Sequence, residues 1–178
     1  MASFMMREGL PDYLRPGLEL VLVGINPGLR SAEVGHHFAG PTNRFWDLLY
    51  DSGITPRRLS YEEDSLVLDF GIGITNIADR PTRSTADLGK EDFLRGRRAL
   101  ARKMTRFRPA CIGFVGLTAY REFRGSRSPV QCGFQEQLIE GADVFVLPNP
   151  SGRNAHYSYQ DMLRSWRELA RRLRRARA

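Results

Sequence analysis

An apolar run at residues 18–23 ends in Val23-Gly24-Ile25-Asn26-Pro27-Gly28-Leu29, and no other stretch constrains the chain's fold as strongly. The run reads as a buried parallel strand, which the glycines and proline close with a tight loop at its carboxyl end. Open α/β sheets bind their ligands at that end. Glycines let the loop backbone approach a ligand closely, and Pro27 fixes one φ and removes one donor. Asn26 then becomes a rigidly held amide, able to hold a water through its oxygen or to donate through its NH2. Turn chemistry alone would also account for such a loop.

A second loop of the same kind, Leu147-Pro148-Asn149-Pro150-Ser151-Gly152-Arg153, follows the apolar run 144–147. Two stiffened loops at the ends of two strands can face one another across a crevice. Together with Gly35-His36-His37-Phe38-Ala39-Gly40-Pro41-Thr42-Asn43-Arg44-Phe45-Trp46, they make the chain resemble the mismatch-specific uracil/thymine-DNA glycosylases, a branch of the uracil-DNA glycosylase superfamily. The resemblance runs from about Leu18 to Leu169 and is most specific over Gly24 to Trp46.

The remaining pattern alternates strand and helix. Helices are expected over 43–52, closed by Gly53, and over 60–70, where Ser60-Tyr61-Glu62-Glu63 offers a capping box. A second strand covers 71–77, a loop 78–89, a basic helix 91–107 stopped by Pro109, a third strand 110–116 and a short helix 117–123. The fourth strand is 144–147. A last helix starts near Tyr159, with Leu163, Trp166, Leu169 and Leu173 as its apolar stripe. The expected fold is a three-layer α/β/α domain with a mainly parallel sheet of about four strands, uracil-DNA glycosylase-like. It forms one glycosylase domain over residues 1–178, with flexible ends at 1–15 and 174–178.

Charge favours a polyanionic partner. The formal net charge is +7, and Lys90 and Lys103 are the only lysines among 27 basic residues. The others are arginines, suited to bidentate phosphate contact, although genomic codon bias would give the same imbalance. Cys111 and Cys132 are too few for a cysteine-held cluster, and Cys111 reads as a reduced core thiol. No stretch has signal-peptide or membrane-spanning length, so a soluble, cytoplasmic protein without membrane association is expected, acting as a monomer. His36 and His37 lack a neighbouring carboxylate or cysteine at ligand spacing, so no metal is expected, nor any cofactor. Surface hydrogen bonding or a phosphate contact suits the two histidines better.

The resemblance implies a role for each loop residue. Asn26 is the catalytic position, where strongly catalytic relatives carry an aspartate; an amide can place a water but cannot act as general base. Ile25, Gly28, Phe38 and Asn149 form the base pocket, with Phe38 stacking on the flipped base. Uracil-selective relatives block the thymine methyl with an aromatic at the place of Gly28, so a glycine leaves the pocket open. Asn149 stands where stronger uracil glycosylases have a histidine. Ser151, Gly152 and Arg153 hold the DNA backbone and fill the gap left by the base. Bacterial members commonly wedge with leucine, whereas Arg153 looks like the vertebrate thymine-DNA glycosylase arrangement.

Asn76 occupies a place where some relatives have lysine, which argues against a Schiff-base lyase step. Asn43 could cap its helix or bond the base edge, with capping by Thr42 or Asn43 the simpler role. Asp69, Asp79 and Asp87 are carboxylates that could assist, Asp79 more simply as an ion-pair partner of Arg80. Two functions follow. One is a monofunctional glycosylase that removes uracil, with thymine or pyrimidine adducts, from mismatches with guanine in duplex DNA and leaves an abasic site in base excision repair. The other is a catalytically weak protein that binds the mismatch or abasic site. A nucleotide-binding doubly wound domain is disfavoured, as there is no G-x-G-x-x-G and no P-loop lysine pattern.

Overall fold

The computed structural model describes residues 9–178. Its sheet has five strands, β1 (Leu20–Gly24), β2 (Ile72–Asn76), β3 (Cys111–Val115), β4 (Gly133–Ile139) and β5 (Ala142–Leu147), in the order β2-β1-β3-β5-β4. The pairs β1–β2, β1–β3 and β3–β5 are parallel, and β4 pairs antiparallel with β5 at the edge. The helices are α1 (Leu29–Val34), α2 (Phe45–Asp51), α3 (Lys90–Phe107), α4 (Leu117–Arg124) and α5 (Tyr159–Arg177), with a 3-10 segment at Tyr61–Phe70.

Both faces of the sheet are covered, and period-two alternation decides which side chain serves which face. Leu20 and Leu22 pack with Phe45, Leu48, Val67 and Trp166 from α2, the 3-10 segment and α5. Val21 and Val23 pack with Leu100 and Met104 of α3 and Tyr120 of α4. Each fully buried leucine contributes about 1.5–3 kcal/mol. Gly96 lets α3 settle on the end of β2, since a Cβ there would lie 2.1 Å from the Ile77 carbonyl oxygen. Cys111 is buried in β3, and burial pushes its thiol up to about 12, which keeps it protonated.

The structure adds β4, α1 and a single 3-10 turn at Thr85–Asp87 to the expected order. β4 is a polar edge strand whose burial barely alternates, and it is joined to β5 by a two-residue turn with positive φ at Glu140 (50°) and Gly141 (83°). The six-residue α1 is too short to show a helical period. Residues 60–70 form a 3-10 segment with a break at Glu63 rather than a regular helix, although the Ser60–Glu63 capping box is present.

The ends expected to be flexible make contacts where they are described. Tyr13 exchanges backbone hydrogen bonds with Ile74 (2.9 and 3.1 Å), and Asp12 accepts from Lys103 Nζ at 2.7 Å. At the other end α5 continues to Arg177, which pairs with Glu19. Residues 1–8 of the first expected end lie outside the described residues.

Candidate active site

The carboxyl ends of β1, β2, β3 and β5 open into a cleft of about 210 Å³. Ile25, Asn26 and Gly28 line it from the first loop, Asn149 and Ser151 from the second, and Phe38 from the segment between them. Gly152 and Arg153 do not line this cavity. The second loop touches the segment that carries Phe38: the Arg44 backbone N–H donates to the Pro150 carbonyl at 3.0 Å. Gly152 has no room for a side chain, because a Cβ would lie 2.5 Å from the Thr42 side chain. Arg153 is exposed on the turn that follows, its N–H donating to Ser151 Oγ at 3.3 Å.

Each loop asparagine has one half of its amide spent. Asn26 donates both N–H groups, to the Arg80 carbonyl and to Thr82 Oγ1, each at 2.8 Å. Thr82 in turn donates its hydroxyl to the Ser84 carbonyl at 2.8 Å and its backbone N–H to the Pro27 carbonyl at 3.2 Å. What remains of Asn26 is Oδ1, an acceptor. Asn149 is the reverse. Its Oδ1 accepts the Ser151 N–H at 2.9 Å, and its own carbonyl accepts from Asn154 Nδ2 at 2.9 Å. What remains is the NH2, a donor.

The residues that hold Asn26 are themselves anchored. Arg80 reaches Asp92 at the start of α3 (2.7 Å) and the Asp87 carbonyl (2.7 Å). The Arg80 guanidinium, with the Gly89 N–H, holds the Asp92 carboxyl down to about 2. The expected Asp79–Arg80 pair is thereby corrected: Arg80 turns to Asp92, and Asp79 packs against Gly9.

Phe38 stands at φ +52°, a left-handed conformation that costs a residue with a side chain about 1–2 kcal/mol. Its ring stacks on Phe45 with centroids 3.8 Å apart and planes 10° from parallel, so it forms an aromatic wall of the cleft. Gly28 has φ −70° and ψ 161°, and a Cβ there would meet nothing within 4 Å. It is not needed for a positive φ; its lack of a side chain leaves the cleft open.

The family profile of the uracil DNA glycosylase superfamily matches residues 11–170. The chain belongs to that superfamily. Its fold resembles a protein from Methanosarcina acetivorans, solved in solution by NMR and described as a candidate uracil DNA glycosylase. The two share 22% identity with a TM-score of 0.63, over 96% of this chain and 99% of the other. By class this superfamily member is a DNA glycosylase, an N-glycosyl hydrolase with a DNA substrate.

Membership directs attention to cleft residues the sequence left in other roles. Asn76, at the end of β2, is 9% exposed and lines the cleft, and its side chain forms no hydrogen bond among the described residues. It lies so close to Gly24 that a Cβ there would be 2.5 Å from Asn76 Oδ1. Its flanking pattern could have marked it as an inward amide at a strand's carboxyl end. Arg83 is a further cleft residue, exposed and without an ion pair among the described residues. Asn43 accepts the Phe45 N–H at 3.0 Å, the capping role, while also lining the cleft.

No carboxylate of the described residues lines the glycosylase's cleft. Asp69 is exposed on the 3-10 segment, Asp79 faces away beside α3, and Asp87 accepts the Ser84 N–H at 3.0 Å. The histidines also differ from expectation. His37 is 2% exposed, with Nε2 donating to the Pro11 carbonyl at 2.8 Å, and burial lowers its pKa. His36 donates from Nδ1 to Asp64 at 3.0 Å. Both serve the loop that carries Phe38, because the 3-10 segment and the chain at Pro11 and Tyr13 close around them.

Proposed function

We propose that this protein is a monofunctional DNA glycosylase that removes uracil mispaired with guanine in duplex DNA and leaves an abasic site for base excision repair. The observation that carries the reading is the opposite locking of the two asparagines. One amide retains an acceptor at the cleft and the other a donor. Hydrolysis of an N-glycosidic bond needs a placed water and a stabilised leaving base.

In this mechanism the base leaves the stack and rests against Phe38. The Asn76 amide offers a donor and an acceptor to the base edge. A water held at Asn26 Oδ1 attacks C1′ as the bond from C1′ to the base nitrogen breaks, its electron pair leaving with the base. Asn149 donates to the oxygen on which charge builds. The water's proton passes to solvent or to the departed base. Arg153 fills the gap and donates to the orphaned guanine, and Arg83 reaches a phosphate. The open space at Gly28 admits thymine and larger pyrimidine adducts as well as uracil.

The lack of a carboxylate among the described residues of the cleft makes slow turnover the expectation, and it favours one alternative, a protein that binds the mismatch or abasic site and barely cleaves. Single-turnover cleavage of a duplex containing G·U, followed by alkali, separates the two. A strand break at the uracil supports the glycosylase, and tight binding without a break supports the alternative. The same assay on G·T, A·U and single-stranded uracil measures mismatch selectivity.

A further inference from the structure

Asp64 sits outside the cleft and takes no part in the chemistry above, yet it is one of the most buried charged side chains, at 1% exposure. Three donors converge on it. Tyr13 Oη and His36 Nδ1 both donate to Oδ1 at 3.0 Å, and the His37 backbone N–H donates to Oδ2 at 2.8 Å. Two of the three belong to the residues just before Phe38. On the same side the His37 carbonyl accepts from Trp46 Nε1 at 3.2 Å, and on the other side of Phe38 the Ala39 N–H donates to Ser31 Oγ at 3.0 Å. A left-handed backbone at a residue with a side chain persists only where its surroundings over-determine it, and these bonds are those surroundings.

We propose that Asp64 is a positioning residue for the aromatic wall: by gathering His36, His37 and Tyr13 it holds Phe38 at φ +52° and its ring on Phe45. The proposal rests on the glycosylase reading of the cleft. Without the carboxylate, the His37 N–H is buried without an acceptor, which the chain relieves by moving the loop. The ring then leaves the place where a base would stack. Asp64 should therefore matter only when a base occupies the cleft.

The test compares two duplexes. One carries a 2′-fluorinated deoxyuridine opposite guanine, whose fluorine slows bond cleavage; the other carries a tetrahydrofuran abasic site. Asp64→Ala is expected to weaken binding of the uracil duplex and slow single-turnover cleavage of ordinary G·U by about tenfold each, the scale of one lost base–aromatic stack. Affinity for the abasic duplex should be unchanged. Asp64→Asn, whose oxygen can still accept the His37 N–H, should recover most of the loss. In a Phe38→Ala background Asp64→Ala should cost nothing further. Ser31→Ala, which frees the other flank of Phe38, should give the same base-selective loss and serves where Asp64→Ala does not fold. Equal losses on both duplexes, or losses additive with Phe38→Ala, would overturn the positioning role. So would an Asp64→Ala protein that matches a cleaving wild type. A wild type that neither cleaves nor prefers the uracil duplex would overturn the reading of the cleft, and the positioning role with it.

Discussion

Asn26 is held by Arg80 and Thr82, 54 and 56 residues further along the chain, whereas Asn149 is held by Ser151 and Asn154, two and five residues away. The second loop closes its own hydrogen bonds over a few residues, so ordering it costs little loop entropy. The first takes its geometry from the loop after β2, and through Arg80 and Asp92 from the start of α3. The acceptor left on Asn26 thus depends on long-range packing, and the donor left on Asn149 on a local turn. Damage to the first loop should therefore spread from distant residues, while damage to the second should stay local.

The largest expected effect is at the first loop itself. Asn26→Ala should cut single-turnover cleavage of G·U about 100-fold, the scale of a misplaced reactant, with duplex affinity nearly unchanged. Full cleavage in that variant would remove Asn26 from the chemistry.

The comparison is sharpened at Thr82. Thr82→Val keeps the shape and removes the hydroxyl, which frees one Asn26 N–H and lets the amide turn. Cleavage should fall about tenfold, the equivalent of one hydrogen bond. Asn154→Ala, the nearest counterpart in the second loop, should cost less, since the Asn149–Ser151 bond survives. A larger loss from Asn154→Ala than from Thr82→Val would break the contrast.

Arg153→Ala should weaken abasic-duplex binding by up to about tenfold and reduce the log–log salt slope by about one contact if the guanidinium meets a phosphate. Arg153→Leu should recover the filling of the gap without the salt dependence. Unchanged affinity in Arg153→Ala would leave the residue as an exposed turn arginine.

Gly28→Tyr should lower cleavage of G·T about tenfold more than that of G·U, because the ring meets the thymine methyl. The site's φ of −70° and the open space around its Cβ position mean that a side chain can leave the backbone there without strain. Equal losses on both substrates would show a distorted loop instead of a restored barrier.

The smallest effect concerns stability. Burial lowers the pKa of His37 below its ordinary value of 6.5. Below about pH 6.5 the unfolded chain takes up the proton first, so stability falls as pH drops from there through the folded-state value. His37→Gln can still donate to Pro11 and does not titrate. Its melting temperature should fall less than the wild type's between pH 7 and pH 5, as read by thermal unfolding across that range.

Much of the architecture was legible because its signals are local. The run behind Gly24, the stripe of α5 and the Ser60–Glu63 box each lie within a short window. β4 was not legible. An edge strand needs no apolar alternation, and Leu138 is more than half exposed. His37 escaped for the opposite reason: nothing in Gly35-His36-His37-Phe38 tells that Pro11, Asp64 and Trp46 close over it.

By itself the sequence determined where the cleft would lie and which residue types would reach it, because strand ends and Pro/Gly turns are set by neighbours in the chain. Only the tertiary structure decided, among the described residues, which atom of each asparagine stays free, that Asn76 enters the cleft unpaired and that no aspartate reaches it. An amide carries a donor and an acceptor on one side chain. Which of the two is spent depends on partners that, for Asn26, lie more than fifty residues away.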